Sequence, residues 1–116
     1  MIAHQTKPPG NGRALCCADD FVGDETFAML WGDGIAHAGE PALAQLLRVC
    51  ERTGAAVLRG RRVPLHQVDR YGIVAGDSVD EQTLNVRSIV EKSPLGTATS
   101  DLAQVKGCVF TNRLMQ

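Results

Sequence analysis

No apolar run in these 116 residues approaches the roughly eighteen that a bilayer-crossing helix needs. The opening "MIAHQTKPPGNG" has neither the apolar core nor the small-residue cleavage site of a secretory leader, so the expected address is cytoplasmic, with no membrane partner. Basic excess is missing as well. A net charge of -1 supplies no attractive field for a polyanion, and nucleic acid is not an expected partner. The basic cluster "RGRR" at 59–62 reads as a solvated turn between two elements or, alternatively, as a phosphate-binding patch. Cys16, Cys17, Cys50 and Cys108 form no C-x-x-C and no Cys/His zinc spacing, and are expected to be reduced thiols serving as small core residues. His4, His37 and His66 are scattered, none near a cysteine or carboxylate at a metal-site spacing.

What remains is the composition of an ordinary globular chain, 44% hydrophobic and 22% charged, without internal repeat or low-complexity tract. One domain is expected. "KPPGNG" reads as a loop, because paired prolines and two glycines disfavour helix and strand alike. Residues 12–20, "GRALCCADD", read as a short helix, and "TFAMLW" as a buried strand followed by the loop "DGIAHAGEP". Leu43, Leu46, Leu47 and Cys50 recur at helical spacing, with Pro41 in the first turn and Gly54 as the C-terminal cap. "AAVLR" is a strand, so strand, helix and strand follow in the order that builds parallel sheets by right-handed crossovers. "RRVPLHQVDRYG" is read as a turn with a short helix. "YGIVAG", "LNVRSIVEK" and "LAQVKGCVFT" complete the strands, with the loops "DSVDEQT" and "SPLGTATSD" between them. The expected fold is α/β.

The stretch "FAMLWGDGI" runs from five apolar residues into Gly32, Asp33 and Gly34. Two readings stand: a strand-end turn, or a metal or phosphate site at the carboxyl end of a strand, where open α/β sheets bind ligands.

Taken in order, "KPPGNGRALCCADDFVGDETFAMLWGDGI", "ERTGAAV", "VDRYGIV", "SIVEKSP" and "SDLAQVKGCVF" resemble the bacterial UTP:glucose-1-phosphate uridylyltransferases, over nearly the whole chain. The resemblance implies a partial Rossmann-like nucleotidyltransferase sheet with flanking helices, spanning residues 1–116 as one partial domain. It also implies a reaction in which a phosphate oxygen of glucose 1-phosphate attacks the α-phosphorus of UTP, releasing pyrophosphate and forming UDP-glucose. Such transfers depend on positioning and cation stabilisation.

Residue by residue, the resemblance makes Gln5 the ligand of the uracil edge, with Gly12 allowing close approach of backbone to the base. An amide offers uracil a donor and an acceptor together. Asp33 becomes the ligand of Mg²⁺, which needs few protein oxygens when phosphates supply the rest. Gly72 would bring backbone against the hexose, Glu91 would accept from glucose hydroxyls, and Lys92 would neutralise phosphate charge as the catalytic cation. Departures from the family pattern fall at Arg13, Gly34, Ser93, Asp101 and Lys106.

No Gly-x-Gly-Thr-Arg loop of the kind that cradles the UTP phosphates occurs in residues 1–12, and no second metal carboxylate follows. The chain thus reads as a central fragment with the uracil, metal and sugar half-site, inactive alone. The alternative is a non-catalytic truncated α/β remnant acting as a binding or structural module. Either way, uncovered sheet edges are expected to favour a homo-oligomer.

Overall fold

The structure, a computed structural model, describes Gln5 and residues 10–111. Its elements are α1 (Gly10–Cys16), α2 (Asp19–Val22), β1 (Phe27–Met29), α3 (Ala42–Thr53), β2 (Val57–Arg62), a 3-10 helix (Leu65–Arg70), β3 (Gly72–Ser78), β4 (Leu84–Glu91) and β5 (Leu102–Phe110). This is the expected α/β class, with five strands in one sheet and helices beside it. Two units emerge: one drawn from residues up to Val57 and from Cys108 onward, the other from Leu58–Gly107. His4 and residues 7–9 of the expected loop lie outside the described residues.

In the first unit, α3 follows the apolar spacing. Leu46 and Cys50 are buried against Val109 of β5, with Leu43 and Val57 packed beside them. Gly54 ends the helix in the left-handed region, φ 66°, and its N–H donates to the Cys50 carbonyl at 2.7 Å. Arg48 reaches back to Glu40, donating to both carboxylate oxygens at 2.6 and 2.7 Å, and these bonds push the guanidinium above its ordinary value. Leu47 lies off the buried stripe, 37% exposed.

β1 pairs antiparallel with β5, Phe27 opposite Phe110 and Met29 opposite Cys108, and the two Phe rings lie 5.6 Å apart. The strand is shorter and less buried than its apolar run suggested. It holds three residues, and Leu30 beyond it is 64% exposed. A strand with β5 as its partner has one protected edge, so apolar composition alone does not bury it. The helix expected at 12–20 is divided into α1 and α2, and α1 starts at Gly10, taking in the "GNG" assigned to a loop. Gly10 enters it at φ 73°, open to a residue without Cβ. α1 buries none of its residues. Cys16 and Cys17 are accordingly exposed, whereas Cys50 and Cys108 fill the core as expected.

In the second unit, β3 and β4 form an antiparallel hairpin from Gly72 opposite Glu91 to Ser78 opposite Leu84, with a bulge between Ala75 and Gly76. Val79 N–H donates to the Thr83 carbonyl at 2.9 Å to close the connection. Ile73 stands opposite Ala103 of β5, and together with Val63 and Val68 these residues make the core, with Tyr71 and Ala98 at its margin. Ser100 ties the loop to the sheet, its Oγ donating to the Val74 carbonyl and accepting from Leu102 N–H.

Two expectations change. "RGRR" is not a turn: it makes up the last four residues of β2, Arg59 half-buried and the rest exposed, with Arg62 paired to Asp101 at 2.5 Å. The strand–helix–strand segment does not pair strand to strand in parallel, because β1 and β2 each take β5 as partner. The registers of β1 with β5, β3 with β4 and β3 with β5 are all antiparallel. A strand from the far end of the chain satisfies the backbone groups that local order would have matched with each other. Among the described residues no helix is long and apolar enough to cross a membrane.

Candidate functional site

The second unit assembles three of the expected residues. Gly72 begins β3 and is buried, directly across the ladder from Glu91 at the end of β4. A Cβ on Gly72 would meet Glu91 Oε2 at 3.0 Å and Ile89 Cγ2 at 3.3 Å. The carboxylate therefore leans over the glycine, in space that any side chain there would contest. Lys92 follows at once with φ 49°, the single non-glycine residue in the left-handed region among those described. Its N–H donates to the Tyr71 carbonyl at 3.0 Å, fixing the strand end beside Gly72. Such backbone costs an L-residue on the order of 1 kcal/mol, and residues held this way concentrate at ligand clamps. Ser93, next along, is buried at 4% exposure. The ammonium of Lys92 is on an exposed residue, able to meet an anion from solvent.

A fourth residue, with a polar side chain that composition did not single out, joins them. Gln104 Oε1 lies 3.5 Å from the same Gly72 Cβ position. The pairing of Ile73 with Ala103 puts Gln104 across from Gly72 on β5, so β5, β3 and β4 contribute Gln104, Gly72 and Glu91 to one row. Its signal in sequence was a polar residue inside the apolar run "LAQVKGCVF".

The first unit holds the rest. Gln5 Nε2 is a buried donor with no hydrogen-bond partner, an arrangement that costs about 1–3 kcal/mol unless a ligand or water accepts from it. Gly12 sits in α1 with nothing within 4 Å of where a Cβ would project. Asp33 lies on an exposed turn in which Gly34 N–H donates to the Trp31 carbonyl at 3.0 Å. Among the described residues no group of three or more His, Cys, Asp or Glu could cage a metal.

The family described as Nucleotidyl transferase matches residues 1–116. UTP–glucose-1-phosphate uridylyltransferase of Bacillus subtilis is 41% identical over 107 residues, 92% of this chain and 37% of the relative. A solved UDP-glucose pyrophosphorylase from Acinetobacter baumannii superposes with TM-score 0.88 at 35% identity, covering 96% of this chain and 40% of that one. A UDP-glucose pyrophosphorylase solved in complex with UDP-glucose gives TM-score 0.83 at 25% identity, over 97% of this chain and 43% of its own. The chain spans about two fifths of the length of the relatives it matches. Matched from its first residue to its last by the family's pattern, this chain belongs to the nucleotidyl transferases.

Proposed function

We propose that the chain is the uracil-, metal- and sugar-binding portion of a UTP:glucose-1-phosphate uridylyltransferase, one partial domain that binds UDP-glucose and does not turn over by itself. The observation that carries this reading is Glu91 held over the bare α-carbon of Gly72 with Lys92 locked beside them. Glu91, as a carboxylate, accepts hydrogen bonds from sugar hydroxyls, and Gly72 leaves room for the ring to approach the backbone. Lys92 supplies a point charge to phosphate, lowering the cost of negative charge as a phosphate oxygen of glucose 1-phosphate bonds to the α-phosphorus and pyrophosphate departs. Gln5 donates its unpartnered amide N–H to a uracil carbonyl, and Gly12 leaves the base room beside α1. Asp33 would hold Mg²⁺, which when bound supplies charge neutralisation at the phosphates.

Support also comes from the relatives: one is named for UTP and glucose 1-phosphate, and another was solved with UDP-glucose. The edge strand β4 leaves Val86, Ile89 and Val90 exposed at 46%, 42% and 45%, which supports self-association through the sheet edge. Equilibrium dialysis against UDP-glucose, run beside a pyrophosphate-release assay with UTP, glucose 1-phosphate and Mg²⁺, tests the reading. Retention of UDP-glucose without pyrophosphate release is expected. A folded chain that retains no UDP-glucose would be a structural module instead.

A further inference from the structure

We propose that Gln104 is a specificity residue of the sugar site, contacting a hexose hydroxyl opposite Glu91; this rests on the sugar-binding reading above. Ile73 and Ala103, opposite each other, point into the core, so their neighbours Gly72 and Gln104 project from the other face. Glu91, paired with Gly72, shares that face. Across three adjacent strands the row reads carboxamide, nothing, carboxylate. Two outer side chains stand about two strand spacings apart, roughly 9.5 Å between α-carbons, with no side chain from Gly72 itself between them and Ile89 Cγ2 3.3 Å from where a Cβ would stand.

Both outer groups lean inward. Glu91 Oε2 and Gln104 Oε1 come within 3.0 and 3.5 Å of one point above Gly72. Neither side chain is engaged in a hydrogen bond or ion pair among the described residues, so both keep their full capacity for a ligand. Their capacities are complementary. A carboxylate accepts and cannot donate, whereas a carboxamide can do both. A polyol placed over this row donates one hydroxyl to Glu91 and, with the Gln104 amide turned so that its NH₂ rather than Oε1 faces the ligand, accepts from it at a neighbouring one. Such a pair reads the presence and direction of two hydroxyls, which a single carboxylate does not. The ligand class is a nucleoside diphosphate hexose carrying hydroxyls on both sides of the contact.

The test uses the intact chain and calorimetric binding of UDP, UDP-glucose and the UDP-glucose analogues that each lack one hydroxyl, with Gln104→Val, Gln104→Glu and Glu91→Ala. Matching thermal melts establish that the variants fold. Gln104→Val is expected to weaken UDP-glucose about fivefold and leave UDP unchanged. One deoxy analogue should lose affinity for the wild-type chain and lose nothing further with Gln104→Val, a coupling that a structural role for Gln104 would not produce. Gln104→Glu should keep acceptance and lose donation, and so bind UDP-glucose no better than Gln104→Val. If Glu91→Ala weakens UDP-glucose while both Gln104 variants bind like wild type, Gln104 is not a ligand and the sugar site stands without it. If the wild-type chain binds UDP-glucose no better than UDP, the sugar site fails and the assignment of Gln104 fails with it.

Discussion

Gly72 and Glu91 face each other across the β3–β4 ladder, and a methyl group on the glycine would lie 3.0 Å from the carboxylate oxygen Oε2. The nearest contact is with the free end of a flexible side chain, which can swing away at little cost, and the next, Ile89 Cγ2 at 3.3 Å, need give by only a few tenths of an ångström. Gly72→Ala should therefore change stability by less than about 1 kcal/mol while displacing Glu91 and weakening UDP-glucose about tenfold. Denaturant unfolding and titration, done on the same preparation, separate the two effects. A large stability loss with unchanged affinity would make the glycine a folding requirement only.

Gly76 offers the opposite case within the same strand. A Cβ there would come within 1.9 Å of the Asn85 carbonyl oxygen, which is backbone at the bulge and has nowhere to go. Gly76→Ala should cost about 2–4 kcal/mol in urea unfolding, whereas Gly32→Ala, with nothing within 4 Å, should be close to neutral.

Lys92 couples a backbone constraint to a charge, and two substitutions divide them. Lys92→Gly accepts φ 49° without strain and should hold or raise stability by up to about 1 kcal/mol, yet it should weaken UDP-glucose as much as Lys92→Ala does. Lys92→Ala keeps the strained backbone and should gain no stability. Equal affinity of wild type and Lys92→Gly for UDP-glucose would remove the ammonium from the site.

The unpartnered Nε2 of Gln5 carries a prediction of opposite signs. Replacing the amide by a thioether of similar length, Gln5→Met, removes a buried donor that has no acceptor, so the ligand-free chain should melt no lower and up to a few degrees higher. Uridine nucleotides should bind more weakly. A lower melting temperature with unchanged nucleotide affinity would show the amide to be structural.

How far the sequence announced all this depends on how local each feature is. α3 was legible because Leu43, Leu46 and Cys50 fall on one face and Gly54 is the residue that a left-handed cap requires. The strands β3 and β4 were legible as two runs about a polar loop, though not their pairing with each other. The partner of β1 was not, since it lies near the other end of the chain and no local pattern records a pairing at that distance. "RGRR" concealed a strand because three arginines and a glycine, exposed from Gly60 onward, leave no apolar alternation to read. The helix through "GNG" ran against glycine's own preference. In the proposed site, the ordered motifs pointed to Gly72, Glu91 and Lys92, which the structure brings together at one end of the β3–β4 ladder, but not to Gln104. Its place beside Gly72 comes from the cross-strand row, which exists only once three strands are in register.

The most direct test of the half-site is isothermal titration of the purified, folded chain with UDP-glucose and Mg²⁺, repeated with Asp33→Ala and Glu91→Ala. Thermal melts of both variants, compared with the wild type, separate any change in folding from lost affinity. Saturable binding, weakened by each change and more steeply dependent on Mg²⁺ in the wild type than in Asp33→Ala, is the predicted result. Absence of binding heat from the folded wild-type chain across a range of temperatures would contradict it, leaving the Gly-Asp-Gly segment as a turn and the Glu91–Gly72 contact as strand packing.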